Sequence, residues 1–215
     1  MSNTKRAYFV TGLPHFVGQL ALQQLLNDDR RATATLLVRG DAVDQVDALL
    51  GGWGDLQKRC HVLVGDVASH DFGLSGDEWN QLADDTTDIL HFASIYHLGF
   101  DKRHVEEVNL QGTRHVLELA RECTQLQRFN HYSSAFVAGN RFGVVLEDEL
   151  ERGQAFRNTF ERTKFAAELE VRRHAAQLPV TIYRPGLVVG DSRTGAIDRL
   201  DGPYFLVQLL ANTPD

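Results

Sequence analysis

A glycine-punctuated segment, Thr11 to Gly18, follows the first apolar run of the chain and leads into an apolar-striped segment, Val17 to Leu26. A glycine-rich turn between a strand and a helix lets a pyrophosphate approach the backbone and sit at the positive end of the helix dipole. The strand, turn and helix that this motif needs follow one another here. The segment therefore predicts a nucleotide site, with an ordinary tight turn as the alternative.

A basic residue, Arg39, follows the second apolar run, which ends at Val38. In nucleotide-binding sheets an acidic residue at this point bonds the ribose hydroxyls of NAD, whereas an arginine suits the additional phosphate of NADP. Arg39 thus favours NADP(H), and the nearby Asp41 leaves NAD(H) open. A solvated surface arginine is the plainer alternative.

The elements that must position these residues alternate along the chain. Strands are predicted at 7–10, 35–38, 61–64, 89–92, 129–132 and 180–183, and helices at 17–26, 43–50, 102–123 and 158–176, with a short helix near Trp79 and Leu82. Strands that are apolar throughout and separated by helices indicate a parallel sheet covered on both faces. The prediction is a doubly wound α/β fold whose ligands bind beyond the carboxyl ends of the strands.

Recognisable patterns stand at these strand ends and on two of the helices. They are TGLPHFVG at 11–18, GDV at 65–67, HFAS at 91–94, NLQGT at 109–113, SSA at 133–135, NTFERTKFAAE at 158–168 and RPGLVVGDSRTG at 184–195. In this order they resemble the extended short-chain dehydrogenase/reductase superfamily, which includes the NAD-dependent epimerases and dehydratases. The last pattern is closest to its thioester reductase and fatty acyl-CoA reductase branch. The resemblance runs from Ala7 to about Gly195 and implies a Rossmann fold that holds a nicotinamide cofactor.

The resemblance also assigns residues to the cofactor. Those expected to contact it are Gly12, His15, Phe16, Val17, Gly18, Arg39, Asp66, Val67, Phe92, Ala93, Ser94, Lys164, Pro185, Gly186 and Val188. Asp66 would lie beside the adenine ring, and the segment 92–94 beside the nicotinamide half. Lys164 would bond the nicotinamide ribose.

The same resemblance implies the catalytic positions. Ser134 matches the hydroxyl that bonds a substrate carbonyl oxygen, with Ser133 as the neighbouring candidate, and Asn109 supports the site. The position of the usual catalytic tyrosine is occupied by Phe160, one helical turn before Lys164.

Two positions depart from the family pattern. His15 replaces the middle glycine of the turn, where the backbone comes closest to the phosphates, so its side chain either narrows the site or contacts a phosphate. Phe160 has no proton to exchange with a substrate oxygen, so we expect impaired chemistry, with residual catalysis from the Ser134 hydroxyl. The alternative acids are Tyr96, His97 and Tyr132.

The length and composition of the chain limit its domain number, its partners and its location. The 215 residues favour one domain, 1–215, and the net charge of -7 without a basic stripe argues against nucleic acid as a partner. Two cysteines give no disulfide framework and favour a cytoplasmic location, and nine scattered histidines indicate no metal site. No apolar stretch approaches the roughly 18 residues of a membrane span.

The sequence thus predicts an NADP(H)-dependent oxidoreductase acting on a small molecule, a carbonyl compound or an acyl thioester. A non-catalytic NAD(P)-binding or regulatory domain stays open because of Phe160 and His15, and an NDP-sugar epimerase or dehydratase shares the fold. Related proteins carry a further C-terminal substrate region, so we expect that region to be truncated or supplied by another chain. They also pair through long helices, which predicts a homodimer.

Overall fold

Six parallel strands form one sheet in the computed structural model, which describes residues 5–96, 99–197 and 203–213. The strands are β1 (Ala7–Thr11), β2 (Thr33–Val38), β3 (Cys60–Val64), β4 (Asp88–His91), β5 (Arg128–Tyr132) and β6 (Val180–Tyr183), in the order β3-β2-β1-β4-β5-β6. Their ends differ from the predicted ones by at most about two residues, the usual uncertainty of such boundaries. The predicted doubly wound Rossmann fold is confirmed.

Helices connect successive strands. They are α1 (Phe16–Asp28), α2 (Val43–Gly51), α3 (Gly76–Asp85), α4 (Lys102–Glu106), α5 (Gly112–Glu122), α6 (Thr159–His174) and α7 (Pro203–Asn212). A π-helical turn, Glu107–Gln111, joins α4 to α5 without a break, so the single long helix predicted over 102–123 contains one wider turn. No prediction was made for α7.

Alternating residues of the strands supply two cores, one on each face of the sheet. Phe9, Ile89 and Phe129 pack on one face with residues of α3, α5 and α6. Val10 and Leu90 pack on the other face with residues of α1 and α2. Because successive strand side chains point to opposite faces, this pattern follows from the continuous apolar runs.

The crevice that positions ligands lies between the carboxyl ends of β1 and β4. The chain leaves β1 toward β2 and β3 on one side and returns to β4 on the other, so these two strands are neighbours. This is the topological switch point at which such sheets bind ligands. In the described residues, no helix is long and apolar enough to cross a membrane.

Candidate active site and cofactor crevice

The turn after β1 lies directly against the end of β4. Gly12 has a φ of 90°, and a Cβ atom there would stand 2.4 Å from the backbone nitrogen of Ala93. The turn closes with a hydrogen bond from the His15 nitrogen to the Gly12 oxygen, at 3.0 Å. Only glycine satisfies both the positive φ and the close approach. Gly18 has a second packing role, because a Cβ there would stand 3.2 Å from the Phe92 ring.

The imidazole of His15 packs among aromatic rings. Its centroid lies 6.2 Å from that of Phe92, 6.1 Å from that of Tyr96 and 5.6 Å from that of Tyr132. The φ of His15 is -55°, so this position does not need the conformational freedom of glycine. The turn therefore accommodates the substitution, and a narrowed phosphate site or a contact with phosphate stays a prediction.

The start of α1 is available to an anion. His15 makes no side-chain capping bond, and the first turn, which begins at Phe16 and Val17, holds no acidic residue. The first N–H groups of a helix lack partners within the helix and carry a positive partial charge. Beside the close approach at Gly12, this arrangement suits a phosphate.

The segment after β3 is fixed by close packing. Asp66 accepts a hydrogen bond from the Ala68 nitrogen at 2.8 Å, which is a local turn interaction. Val67 is buried against Gly112, where a Cβ atom would stand 2.9 Å from Val67 Cγ2. The motifs at 65–67 and 109–113 therefore meet through this contact, which holds Asp66 at the edge of the sheet.

Arg39 lies at the surface after β2 and pairs with Asp41. Its Nε atom donates to Asp41 Oδ1 at 3.0 Å, and its Nη2 atom contacts Asp41 Oδ2. The hydrogen bond from Arg39 lowers the pKa of Asp41. Arg39, on which the prediction of NADP(H) depends, is thus paired with Asp41, the acidic residue that keeps NAD(H) open in that prediction.

The segment that follows β4 contains a buried hydroxyl. Phe92 and Ala93 are buried, and the Oγ atom of Ser94 is buried without a hydrogen-bond partner among the described residues. A buried polar atom without a partner is destabilising by about 1–3 kcal/mol. Such an atom fits a site in which a bound cofactor supplies the missing partner.

Asn109 ties the segment after β4 to α6. Its Oδ1 atom accepts from the Ile95 nitrogen at 2.7 Å, and its Nδ2 atom donates to the Ile95 oxygen and to Thr163 Oγ1, each at 3.0 Å. Asn109 lies in the π-helical turn and is almost fully buried. The supporting role of Asn109 in the active site stays a prediction. Thr163, which sequence reasoning did not single out, is its partner.

Lys164 is buried beneath the carboxyl end of β5. Its Nζ atom donates to the main-chain oxygen of Tyr132 at 2.6 Å. Burial lowers the pKa of Lys164 to about 8, and the charge of Glu168 opposes that shift. The ammonium group is thus held at the strand end where a nicotinamide ribose is expected.

The two serines after β5 have different environments. Ser134 Oγ accepts a hydrogen bond from the Phe136 nitrogen at 3.2 Å, which uses a lone pair and leaves the hydroxyl proton to be donated. Ser133 Oγ instead donates to the buried Glu168 carboxylate at 2.6 Å. Since the proton of Ser133 is committed to Glu168, Ser134 is the better candidate donor to a substrate oxygen.

Phe160 lies half-buried in the first turn of α6, one turn before Lys164. Asn158 caps this helix by accepting from the Glu161 nitrogen at 2.9 Å, which fixes where the turn begins. Of the alternative acids, Tyr132 packs with the α1 side of the sheet, away from α6, and burial raises its pKa. Tyr96 lies beside the glycine turn, and His97 lies outside the described residues.

A buried relay of hydrogen bonds joins the centre of the sheet to α5. Thr113 Oγ1 donates to the Asn109 oxygen at 2.8 Å, so it must accept from His91 Nε2 at 2.9 Å. His91 Nδ1 then accepts from Thr11 Oγ1 at 2.8 Å. Burial lowers the pKa of His91 to about 3, which keeps this imidazole neutral.

The segments after β5 and β6 run side by side. The Ala135 nitrogen donates to the Pro185 oxygen at 2.8 Å. Pro185 and Val188 line a groove along α1 that also includes Val17, whereas Gly186 is exposed. The structure therefore brings part of the predicted cofactor set together at β1, β4 and β5 and places the residues after β6 at its border.

Among the described residues, no group of three His, Cys, Asp or Glu side chains could hold a metal ion.

Comparison with known proteins agrees with this geometry. Residues 10–213 match the model of a family of NAD-binding domains described as male sterility protein. A fatty acyl-CoA reductase of Drosophila melanogaster is 27% identical over 243 residues, covering 94% of this chain and 47% of that protein. The terminal R domain from the myxalamid biosynthetic pathway superposes with a TM-score of 0.84 at 28% identity, over 94% of this chain and 54% of that one.

A second solved structure shares the fold. The reductase domain of a nonribosomal peptide synthetase from Mycobacterium tuberculosis superposes with a TM-score of 0.74 at 23% identity, over 89% of this chain and 50% of that one. The chain thus spans about half the length of each of these three relatives. The predicted superfamily and its reductase branch are confirmed.

Proposed function

The chain belongs to the family of NAD-binding domains described as male sterility protein, and on that premise we propose that it is an NADP(H)-dependent reductase domain for a carbonyl or acyl-thioester substrate. The observation that carries the proposal is the position of the buried Lys164 ammonium group. It binds the main-chain oxygen of Tyr132 at the end of β5, two residues before Ser134. The relative named as a fatty acyl-CoA reductase acts, by that name, on an acyl thioester, which supports this substrate class.

The residues present fit a nicotinamide dinucleotide. Gly12 and the uncapped start of α1 would receive its pyrophosphate, and the buried Ser94 hydroxyl would gain a partner. When bound, the reduced nicotinamide supplies a hydride. Lys164 would hold the ribose, and Asn109 would keep the segment after β4 in place.

The Ser134 hydroxyl would donate a hydrogen bond to the substrate carbonyl oxygen and stabilise the negative charge that develops there. Such a donor contributes about 10²–10³-fold to the rate. Phe160 cannot supply a proton, so the proton reaches this oxygen from another group, and turnover is slower than with a phenol.

A non-catalytic cofactor-binding domain is the second candidate, because Phe160 removes the usual acid while the cofactor crevice is retained. The two functions differ in turnover and agree in cofactor binding. Neither candidate survives if the protein binds no nicotinamide cofactor.

The test is calorimetric titration of the full-length protein with NADPH and with NADH, followed by turnover of octanoyl-CoA and octanal. Lys164→Met should weaken cofactor binding, whereas Lys58→Met, at an exposed lysine paired with Asp55, should leave it unchanged. Binding with measurable NADPH oxidation supports the reductase. Binding without turnover, in both the wild type and Phe160→Tyr, favours the non-catalytic candidate, and the absence of binding overturns both.

A further inference from the structure

A buried carboxylate joins α6 to the ends of β5 and β6. Glu168 is fully buried, and its carboxylate accepts from Ser133 Oγ at 2.6 Å and from Arg172 Nε at 2.9 Å. Arg184, which follows β6, donates from Nε at 3.0 Å and from Nη2 at 2.7 Å. These four residues, here called the Glu168 cluster, belong to three separate parts of the chain.

The two arginines of the Glu168 cluster also hold part of the long connection between β5 and α6, namely residues 139–158, here called the 139–158 connection. Arg172 donates to the oxygens of Glu147 at 2.7 Å and Asp148 at 2.9 Å. Arg184 donates to the oxygens of Leu146 at 3.3 Å and Glu149 at 2.7 Å. Four consecutive carbonyl groups, 146–149, are therefore fixed by side chains that Glu168 orients.

Charge explains why the cluster is stable when buried. Burial alone raises the pKa of Glu168, but the hydrogen bonds from Arg184, Ser133 and Arg172 outweigh it and hold the pKa below its usual value. With these partners, the free-energy cost of removing the carboxylate from water is compensated by charge-assisted hydrogen bonds. A neutral group in its place would leave the guanidinium groups without their counter-charge.

The cluster acts on the residue next to the proposed substrate contact. Glu168 lies one helical turn after Lys164, so α6 holds the end of β5 at two successive points, the Tyr132 oxygen and the Ser133 hydroxyl. The Ser133 nitrogen also donates to the Tyr183 oxygen at 2.8 Å. Fixing Ser133 on both sides fixes the backbone from which the Ser134 side chain projects.

We propose that Glu168 is a positioning residue: through Ser133 it sets the Ser134 hydroxyl for the substrate, and through the two arginines it holds the 146–149 segment in place. This inference rests on the proposed reductase function. In this proposal Glu168 does not contact the cofactor. Loss of the Glu168 carboxylate should therefore lower turnover and the local stability of the 139–158 connection far more than it lowers cofactor affinity. A displacement near 1 Å at a catalytic group costs up to about 10²-fold in rate.

The test compares Glu168→Gln, which keeps the side-chain size and removes the charge, with Glu170→Gln as a matched control. Glu170 pairs with Arg114 at 2.7 Å and with Arg173 at 3.3 Å, and in the described part of the chain its carboxylate forms no ion pair with an arginine of the Glu168 cluster. Both assays are run at pH 6, because the charge of Glu168 raises the Lys164 pKa of about 8 and Lys164 must stay protonated in wild type and variant. In Glu168→Gln we then expect kcat for octanoyl-CoA to fall by about tenfold or more, with the Kd of NADPH within about threefold of wild type. Glu170→Gln should match the wild type in both.

Limited proteolysis gives a readout that does not depend on activity. Arg152 lies in the 139–158 connection with 58% of its side chain exposed, and trypsin cleaves after arginine. Cleavage there should be about tenfold faster in Glu168→Gln than in Glu170→Gln if local opening becomes more favourable by about 1.4 kcal/mol. The proteolysis result can be interpreted even if the wild type binds no cofactor. Absence of cofactor binding would overturn the proposed function, and only the part of the inference in which Glu168 anchors the 139–158 connection would remain.

Unchanged kcat in Glu168→Gln overturns the positioning role, and so does a fall in kcat accompanied by an equal loss of NADPH affinity. If Glu168→Gln shows no cooperative unfolding transition, Ser133→Ala replaces it, because it removes one hydrogen bond and leaves the ion pairs intact. Ser133→Ala should lower kcat by about threefold or more at unchanged NADPH affinity, as expected for the loss of one bond to a charged group. Wild-type kcat in Ser133→Ala would overturn the proposal.

Discussion

Lys164 and Tyr132 are joined by a hydrogen bond of 2.6 Å from the lysine Nζ atom to the tyrosine main-chain oxygen. The bond holds an ammonium group on the α6 side of β5, while the tyrosine ring packs on the opposite side with His15 and Phe92. One residue of the strand thus contributes its backbone to the proposed catalytic site and its side chain to the support of the glycine turn.

The lowered pKa of Lys164, about 8, predicts cofactor binding that weakens as the pH rises through 8. A neutral amine is a weaker donor to a ribose hydroxyl than an ammonium group. The Kd of NADPH should therefore rise between pH 7 and pH 9, as measured by calorimetry. Lys164→Met should bind more weakly and lose this dependence on pH, whereas Lys58→Met should retain it.

The stability of the folded protein should change with pH in the opposite direction to the affinity for NADPH. The folded pKa of about 8 lies below the ordinary 10.5, so between these values the unfolded chain binds more protons. The free energy of unfolding attributable to Lys164 therefore increases as the pH rises through this window.

A Kd for NADPH that is constant from pH 7 to 9 would contradict the assignment of Lys164 to the ribose.

Restoring a phenol at position 160 should accelerate reduction. Phe160 lies half-buried one turn before Lys164, and the added oxygen should cost little stability. Phe160→Tyr should raise the turnover of octanal or octanoyl-CoA by about 10²–10⁴-fold, the typical contribution of general acid–base catalysis. Phe165→Tyr adds the same atom to the same helix, against Phe156, and should leave the rate unchanged. Equal rates for the wild type and Phe160→Tyr would show that another residue is the acid.

Cofactor preference should depend on the pairing of Arg39 with Asp41. Arg39→Ala should weaken NADPH binding by about tenfold or more, because a charge-assisted bond to phosphate is lost, and should affect NADH little. Asp41→Asn should shift preference further toward NADPH by releasing the guanidinium group. Arg103→Ala, at an exposed arginine of α4, serves as the control in the same titrations. An unchanged NADPH to NADH ratio in Arg39→Ala would count against the role of Arg39.

The buried imidazole of His91 should make the fold sensitive to acid. Its pKa falls from 6.5 to about 3 on folding, because burial disfavours the charged form. The unfolded chain therefore binds the extra proton, and the stability present above pH 6.5 is lost as the pH falls toward 3. In urea unfolding, His91→Gln should be less stable at pH 7.5 yet lose less between pH 7 and 5. His61→Gln, at an exposed position, should follow the wild type, and an equal loss in His91→Gln would refute the linkage.

The sequence by itself determined the fold and the family. Strand and helix periodicities are local properties, and Gly12 and Gly18 fall where a turn between β1 and α1 needs them. The spacing of the motifs identified the superfamily branch, because each motif lies within a few residues of a strand end. The expected places of Asn109 and Lys164 followed from the same spacing.

Only the tertiary structure decided what these side chains do to one another. Ser133 and Ser134 are adjacent, and their roles separate only because Glu168, 35 residues from Ser133, reaches one and not the other. Thr163 becomes the partner of Asn109, 54 residues away, for the same reason. Such pairings depend on how α6 packs against the sheet, and long-range packing leaves no periodic signal in the sequence around either partner.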